Sequence, residues 1–309
     1  MTEEEALDAD VDFATKHELS GWFTDLRDAV AEPPRYVIDK LLPTGITFMV
    51  APPKTYKSTI EMALSLMVAG QDCDVLPDDL RLVPQTGPVL GFSAEASAGE
   101  LRYMAEQGFR LKVNTRHPFL IADDPWLFRL DDGDALNRMF SALKCGPKLV
   151  WLDPLRDYHS LDEQDSGDMQ RLLRPLQRWA KDNHAALLVV HHTRKLASGE
   201  VRNLEAADAR GTSALFGLAD GLITLTPKGD TSVHFNVVVK RGASWNRTIR
   251  LKVWGTGGEV DEDGKAVLAL LAQGKSQAEM ASLLGVSLST VSRRVAALRD
   301  SGHYTEVKR

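Results

Sequence analysis

The chain has 309 residues, 43% of them hydrophobic and 26% charged, with a formal net charge of −6. Its two cysteines, Cys73 and Cys145, exclude a disulfide framework and a paired Cys-x-x-Cys metal site. No basic-then-apolar leader and no run of about 18 apolar residues is present, so the expectation is a cytoplasmic globular protein not embedded in a membrane.

Charge is unevenly spread. Residues 1–32 carry ten acidic residues against Lys16 and Arg27, whereas residues 265–309 carry seven basic residues against Glu279, Asp300 and Glu306. The expected organisation is an acidic N-terminal arm over 1–33, a large central domain over 34–255, a linker over 256–264 and a basic module over 265–309. In the arm, Leu19, Trp22, Phe23, Leu26 and Val30 recur near helical spacing until Pro33-Pro34 ends the segment.

From Tyr36 onward, short apolar runs alternate with amphipathic helical stretches. Strands are predicted at Ile46–Val50, Val89–Phe92, Phe119–Ala122, Leu149–Leu152, Leu187–Val190 and Leu222–Leu225, with helices near 58–69, 96–108, 133–144 and 168–182. Continuous apolar runs read as strands covered on both faces. The alternation predicts an α/β fold, a doubly wound, mainly parallel sheet with helices on both faces. Val233–Lys240 and Thr248–Val253 are expected to form an antiparallel hairpin at its edge, flanking Arg241–Arg247.

The first strand runs into Ala51-Pro52-Pro53-Lys54-Thr55-Tyr56-Lys57-Ser58-Thr59, and Ile60, Ala63, Leu64 and Met67 then mark a helix. This is the layout of the phosphate loop G-x-x-x-x-G-K-[ST], with Ala51 and Tyr56 in place of its two glycines. Backbone N–H groups at a helix start favour anionic phosphate, so Pro53, Lys54, Thr55, Tyr56, Lys57, Ser58 and Thr59 form the candidate nucleotide-binding set. Lys57 supplies a point charge and Ser58 a hydroxyl for a magnesium ion. Tyr56 is the weak point, because a side chain there must tolerate an unusual backbone or close phosphate approach.

Ligands of open α/β sheets sit at the carboxyl ends of strands. Three such ends carry polar groups: Ser93-Ala94-Glu95, Asp153 after Leu149–Leu152, and His191-His192-Thr193-Arg194-Lys195. Asp153 is the candidate second magnesium ligand and Glu95 the candidate activator of an attacking water. Adjacent strand residues point to opposite sides, so His191 and His192 cannot both face one site, and which does is left open.

Taken together, Ala-Pro-Pro-Lys-Thr-Tyr-Lys-Ser, Phe-Ser-Ala-Glu, Leu-Val-Trp-Leu-Asp-Pro-Leu, Leu-Val-Val-His-His-Thr-Arg-Lys and Arg-Gly-Thr-Ser-Ala-Leu resemble the RecA-like ATPases of the plasmid RepA replicative-helicase type over about residues 34–255. The resemblance implies ATP and Mg2+ as cofactors, assembly into a homo-oligomeric ring (commonly a hexamer), and movement along single-stranded DNA. It implies a catalytic set of Lys57, Glu95, Asp153, His191 or His192, and Arg241. It further implies that Arg210 lines a channel or subunit interface, and that Lys240-Arg241 reaches a neighbour's ATP. A nucleotide-gated DNA-binding regulator or loading factor without unwinding activity is the alternative, since Tyr56 departs from the family's glycine.

In the tail, Ser276-Gln277-Ala278-Glu279 is a capping box opening a helix with Met280, Leu283 and Leu284 on its inner face. Gly285-Val286-Ser287 is expected to turn the chain, with Ala281 and Gly285 where two helices pack closely. A second helix runs from Leu288 with Val291, Val295 and Leu298 inward. With Lys265–Gln273 as a preceding helix, this resembles the helix-turn-helix and winged-helix family. The resemblance puts Ser289, Thr290, Ser292, Arg293 and Arg294 on an exposed recognition face able to meet duplex DNA.

Overall fold

The computed structural model describes residues 29–53, 55–193, 213–228, 231–242, 244–253 and 262–300. The chain divides into two compact units, Met1–Pro34 and Arg35–Arg309. Of the first unit, only residues 29–34 are described, and they form neither helix nor strand; the predicted helical arm otherwise lies outside the described residues.

The second unit begins with a small antiparallel pair, β1 (Tyr36–Ile38) and β2 (Leu42–Pro43), which the apolar pattern does not announce. The main sheet holds β3 (Gly45–Ala51), β4 (Val89–Ser93), β5 (Phe119–Ile121), β6 (Leu149–Asp153), β7 (Ala186–His192), β8 (Gly221–Pro227), β9 (Ser232–Val239) and β10 (Trp245–Arg250). Its order is β10-β9-β8-β3-β7-β6-β4-β5. The six strands from β8 to β5 are mutually parallel, and β9 and β10 turn back as antiparallel neighbours of β8. Within the hairpin, β10 starts at Trp245, three residues before the predicted Thr248, and ends at Arg250. Stacking of the Trp245 ring on Phe235 and its Nε1–H···O bond to Lys40 (2.9 Å) bring the earlier residues into the ladder.

Every residue of β3, β4 and β6 is buried, which explains why these strands read as unbroken apolar runs. The pleat divides them between two cores. Met49, Ala51, Trp151, Leu188 and Val190 face one side, where α1 (Lys57–Val68) and α2 (Ala98–Gly108) contribute Ile60, Leu64 and Leu101. Ile46, Phe48, Val50, Leu152 and Val189 face the other, where α3 (Gly133–Ala142) and α4 (Ser166–Asp182) contribute Met139, Leu173 and Leu176. A short α5 (Ser213–Leu218) adds Leu215 to that second core.

Gly91 shows how tightly the first core is filled. A Cβ there would meet Trp151 Cζ2 at 2.2 Å and Ile121 Cδ1 at 2.6 Å. Both neighbours belong to adjacent strands, and the indole is buried, so neither has room to retreat. Gly91→Ala is therefore expected to cost about 3 kcal/mol, read as a lower urea midpoint with unchanged slope.

Three further helices follow: α6 (Glu262–Ala272), α7 (Gln277–Leu284) and α8 (Leu288–Asp300). Val267, Met280, Val291, Val295 and Leu298 form their shared core. Ser276 and Glu279 close the expected capping box, Ser276 N–H donating to Glu279 Oε2 at 2.8 Å and Glu279 N–H to Ser276 Oγ at 3.3 Å. Those bonds hold the Glu279 carboxyl below its usual range. Three details depart from the sequence reading. Residues 262–264 begin α6 and do not belong to a linker, while 254–261 lie outside the described residues. Leu283 is 62% exposed, because Met280 and Leu284 supply the α7 contacts to the core. Gly285 ends α7 at φ 64 with open space around its Cβ position, so it serves the left-handed backbone and not close helix packing.

Candidate functional site

Parallel pairing brings the carboxyl ends of β3, β4, β6 and β7 together. Ala51 lies opposite His192, and Ser93 opposite Asp153. The Ala94 N–H donates to the Asp153 carbonyl at 2.9 Å, which carries the next residue, Glu95, to the same end. A cleft of about 420 Å3 opens there, lined by Pro53, Thr55, Tyr56, Lys57, Ser58, Thr59, Glu95 and His192. Of the predicted nucleotide-binding residues, only Lys54 lies outside the described residues.

The loop is built from its own backbone. Thr55 Oγ1 donates to the Pro52 carbonyl at 2.9 Å, closing the turn. Tyr56 stands at the start of α1 with φ 58 and ψ 23, the left-handed conformation that the usual glycine adopts freely. For an L-residue this costs about 1–2 kcal/mol, offset in part by the ring's packing against the first core. The sequence reading thus located the strain correctly, and the cleft stays open with Tyr56 in its wall.

Lys57 is only 8% exposed, and its Nζ donates to the carbonyls of Pro52 (3.0 Å) and Ala51 (3.5 Å). Burial lowers its pKa, while Asp153, Glu95 and Glu61 act to keep its charge. Asp153 is pushed up to about 6, chiefly by burial and then by Glu95, against the opposing pull of Lys57 and of hydrogen bonds from Glu61 and Ser58. Sequence reasoning passed over Glu61. It sits on α1 inside the stretch Ile60-Glu61-Met62-Ala63-Leu64, is 2% exposed, and its carboxyl is raised well above the ordinary range by burial and by Asp153. The available signal was an acid interrupting an apolar helix one turn after Lys57.

The two histidines separate as the pleat requires. His192 lines the cleft, with Nε2 4.0 Å from Glu95 Oε1; burial and then Lys57 lower its pKa. His191, one of the two histidines offered for the catalytic set, is instead buried on the other side of β7, with Nδ1 3.8 Å from Glu163 Oε1. The neighbouring His159 is kept neutral to lower pH by its burial. His192 therefore takes the position beside the phosphate loop.

Lys240 and Arg241 fall elsewhere. Because β9 runs antiparallel, its last residues return to the amino ends of the parallel strands: Val239 pairs with Gly221, and Lys240 N–H donates to the Asp220 carbonyl. Asp220 in turn accepts from Ile46 N–H at 3.1 Å at the start of β3, the end opposite the phosphate loop. Both basic residues are exposed in the turn, Arg241 at φ 62. They do not reach their own chain's cleft. Arg210 lies outside the described residues.

In the tail, Ser289 and Ser292 are exposed, Thr290 N–H donates to Ser287 Oγ at 3.2 Å, and Arg294 is half-buried. The Arg293 side chain lies outside the described residues.

A family model described as an AAA domain matches residues 14–198, more than half of the chain. The chain belongs to this AAA domain family. The match takes in the phosphate loop, Glu95, Asp153 and both histidines, and stops before β8 and the tail helices. An AAA domain is a P-loop ATPase domain, which supports nucleotide binding and hydrolysis.

The residues present fit a magnesium-bound nucleotide. Apart from the one hydrogen that the Glu61 and Asp153 carboxyls can share, Asp153 Oδ1, both Glu61 oxygens and Tyr158 Oη are buried side-chain atoms with no hydrogen-bond partner among the described residues. Burying polar oxygens without partners costs several kcal/mol in total, a cost that a cation and its water would relieve. Among the described residues no three His, Cys, Asp or Glu side chains form a metal cage by themselves. No described helix is long and apolar enough to cross a membrane.

Proposed function

We propose that this AAA domain hydrolyses ATP to drive a ring-forming motor on single-stranded DNA, as in replicative helicases of the RepA type. The observation that carries the nucleotide chemistry is the convergence of Lys57, Ser58, Asp153, Glu95 and His192 at the carboxyl ends of the central strands. Lys57 and the loop N–H groups bind phosphate; Ser58 and Asp153 hold Mg2+. The cation, when bound, offsets negative charge on the phosphates. Glu95, more than half exposed at the mouth of the cleft, accepts a proton from the attacking water. His192, the last residue of β7, lies 4.0 Å from that carboxylate, where it registers the presence of phosphate.

The DNA side of the reading rests on the order of motifs resembling RepA-type ATPases and on the three tail helices. In that reading α7 and α8 form a helix-turn-helix, with Ser289, Thr290, Arg293 and Arg294 meeting phosphates or base edges. The three arginines of α8, Arg293, Arg294 and Arg299, would bind weakly and salt-sensitively, so ring assembly would be needed to multiply the contacts. Arg210, Lys240 and Arg241 act in this reading on a neighbouring copy.

Glu95→Gln is expected to keep nucleotide affinity within a fewfold while lowering single-stranded-DNA-stimulated phosphate release roughly a hundredfold. Equal turnover in the variant would remove Glu95 from the mechanism. A second reading, a nucleotide-gated DNA-binding regulator, is favoured by the strained Tyr56 in the loop, which suits a site tuned for slow turnover. Strand displacement on forked DNA separates the two: robust ATPase without unwinding selects the regulator.

A further inference from the structure

We infer that Glu61 is a second carboxylate of the divalent-cation site, a positioning residue that works beside Asp153 by accepting hydrogen bonds from the cation's water. This rests on the nucleotide-site reading above and extends it to a residue that the phosphate-loop pattern does not include.

Three observations meet at this point. Glu61 lies on α1 four residues after Lys57 and three after Ser58, so helical geometry sets it on the same side as both. It is 2% exposed, and apart from the Asp153 carboxyl neither of its oxygens has a partner among the described residues. Asp153 Oδ1 and Tyr158 Oη, also buried and without partners, belong to groups that interact with it. Acidic side chains are almost never fully buried unless paired. An apolar residue would continue the packing of Ile60 and Leu64 at no such cost, so core packing does not explain a carboxyl here.

What the orphaned oxygens share is an unmet need for donors. Glu61 and Asp153 can share one hydrogen between them, which leaves their other oxygens without a donor; the water on a cation held by Ser58 and Asp153 would supply the rest. Outer-shell carboxylates of this kind orient the ligands that touch the metal, and losing one typically lowers metal affinity about 10- to 100-fold.

The test uses the full chain with Mn2+ as the probe, titrated by electron paramagnetic resonance in the presence of a non-hydrolysable ATP analogue. Glu61→Gln keeps the shape but cannot form a carboxylate beside the cation; it is expected to weaken Mn2+ binding about tenfold, with analogue binding in EDTA unchanged. Glu61→Met, which continues the apolar helix, carries the same expectation should the amide fail to fold. Glu61→Asp should recover part of the loss. Mn2+ affinity within twofold of wild type in both Gln and Met variants would overturn the inference and make Glu61 a structural group. If wild type itself binds neither analogue nor Mn2+, the nucleotide-site reading falls first and this inference with it.

Discussion

Lys57→Ala is expected to reduce ATP turnover by roughly two to three orders of magnitude and to weaken nucleotide binding in parallel. Lys57 is the cation facing Asp153, Glu95 and Glu61 from inside the phosphate loop. Without it, an incoming phosphate would meet three carboxyl groups with no fixed positive charge to balance them. Its Nζ bonds to the carbonyls of Ala51 and Pro52 also tie the loop to the end of β3, so the loss reaches the loop's shape as well as its charge. Lys57→Arg keeps the charge but brings a wider planar head into a position that is 8% exposed, and should rescue little. Phosphate release under saturating ATP, together with binding of a fluorescent analogue, measures both effects. A Lys57→Ala protein as active as wild type would remove the site from this end of the sheet.

Asp153→Asn is expected to act in opposite directions on stability and activity. In the folded chain Asp153 is raised from its ordinary 3.8 to about 6, mainly because burial disfavours its charge. The sign follows from proton counting. Between about pH 4 and 6 the folded state holds a proton that the unfolded state has released, so stability falls as pH rises through that window. Above it, the penalty amounts to about 3 kcal/mol at 1.36 kcal/mol per pKa unit. Asparagine removes that penalty, less whatever Lys57 and Ser58 lose in a partner. In EDTA at pH 8 the variant should melt several degrees above wild type, and the gap should close as the pH falls below about 4. Its magnesium-dependent turnover should fall at least a hundredfold, because a neutral amide is a poor ligand for a hard cation. A site that stores unfavourable charge for its ligand is a common source of such a trade-off. A variant with unchanged stability across this pH range would show that Asp153 is not buried in the way described.

The parts legible from the chain alone are those set by local chemistry. Apolar runs of strand length, helical periodicity after Lys57, the Ser276–Glu279 capping box and the left-handed demand at Tyr56 each depend on a few neighbouring residues. Their bonds and dihedrals appear where the residue types called for them. Tertiary structure decided everything that depended on which strand lies beside which. Alternation says that His191 and His192 point apart, but only the pairing of Ala51 with His192 puts His192 at the phosphate loop. The return of β9 against β8 carries Lys240 and Arg241 to the far end of the sheet, a reversal invisible in their own stretch of sequence. Glu61 is the clearest case. As one acid in an apolar helix it carries no role, and its meaning comes from β6, which delivers Asp153 to it across some ninety residues of chain. Short-range forces choose helix, strand and turn, whereas a site is assembled by burial, which acts between segments with no relation in sequence.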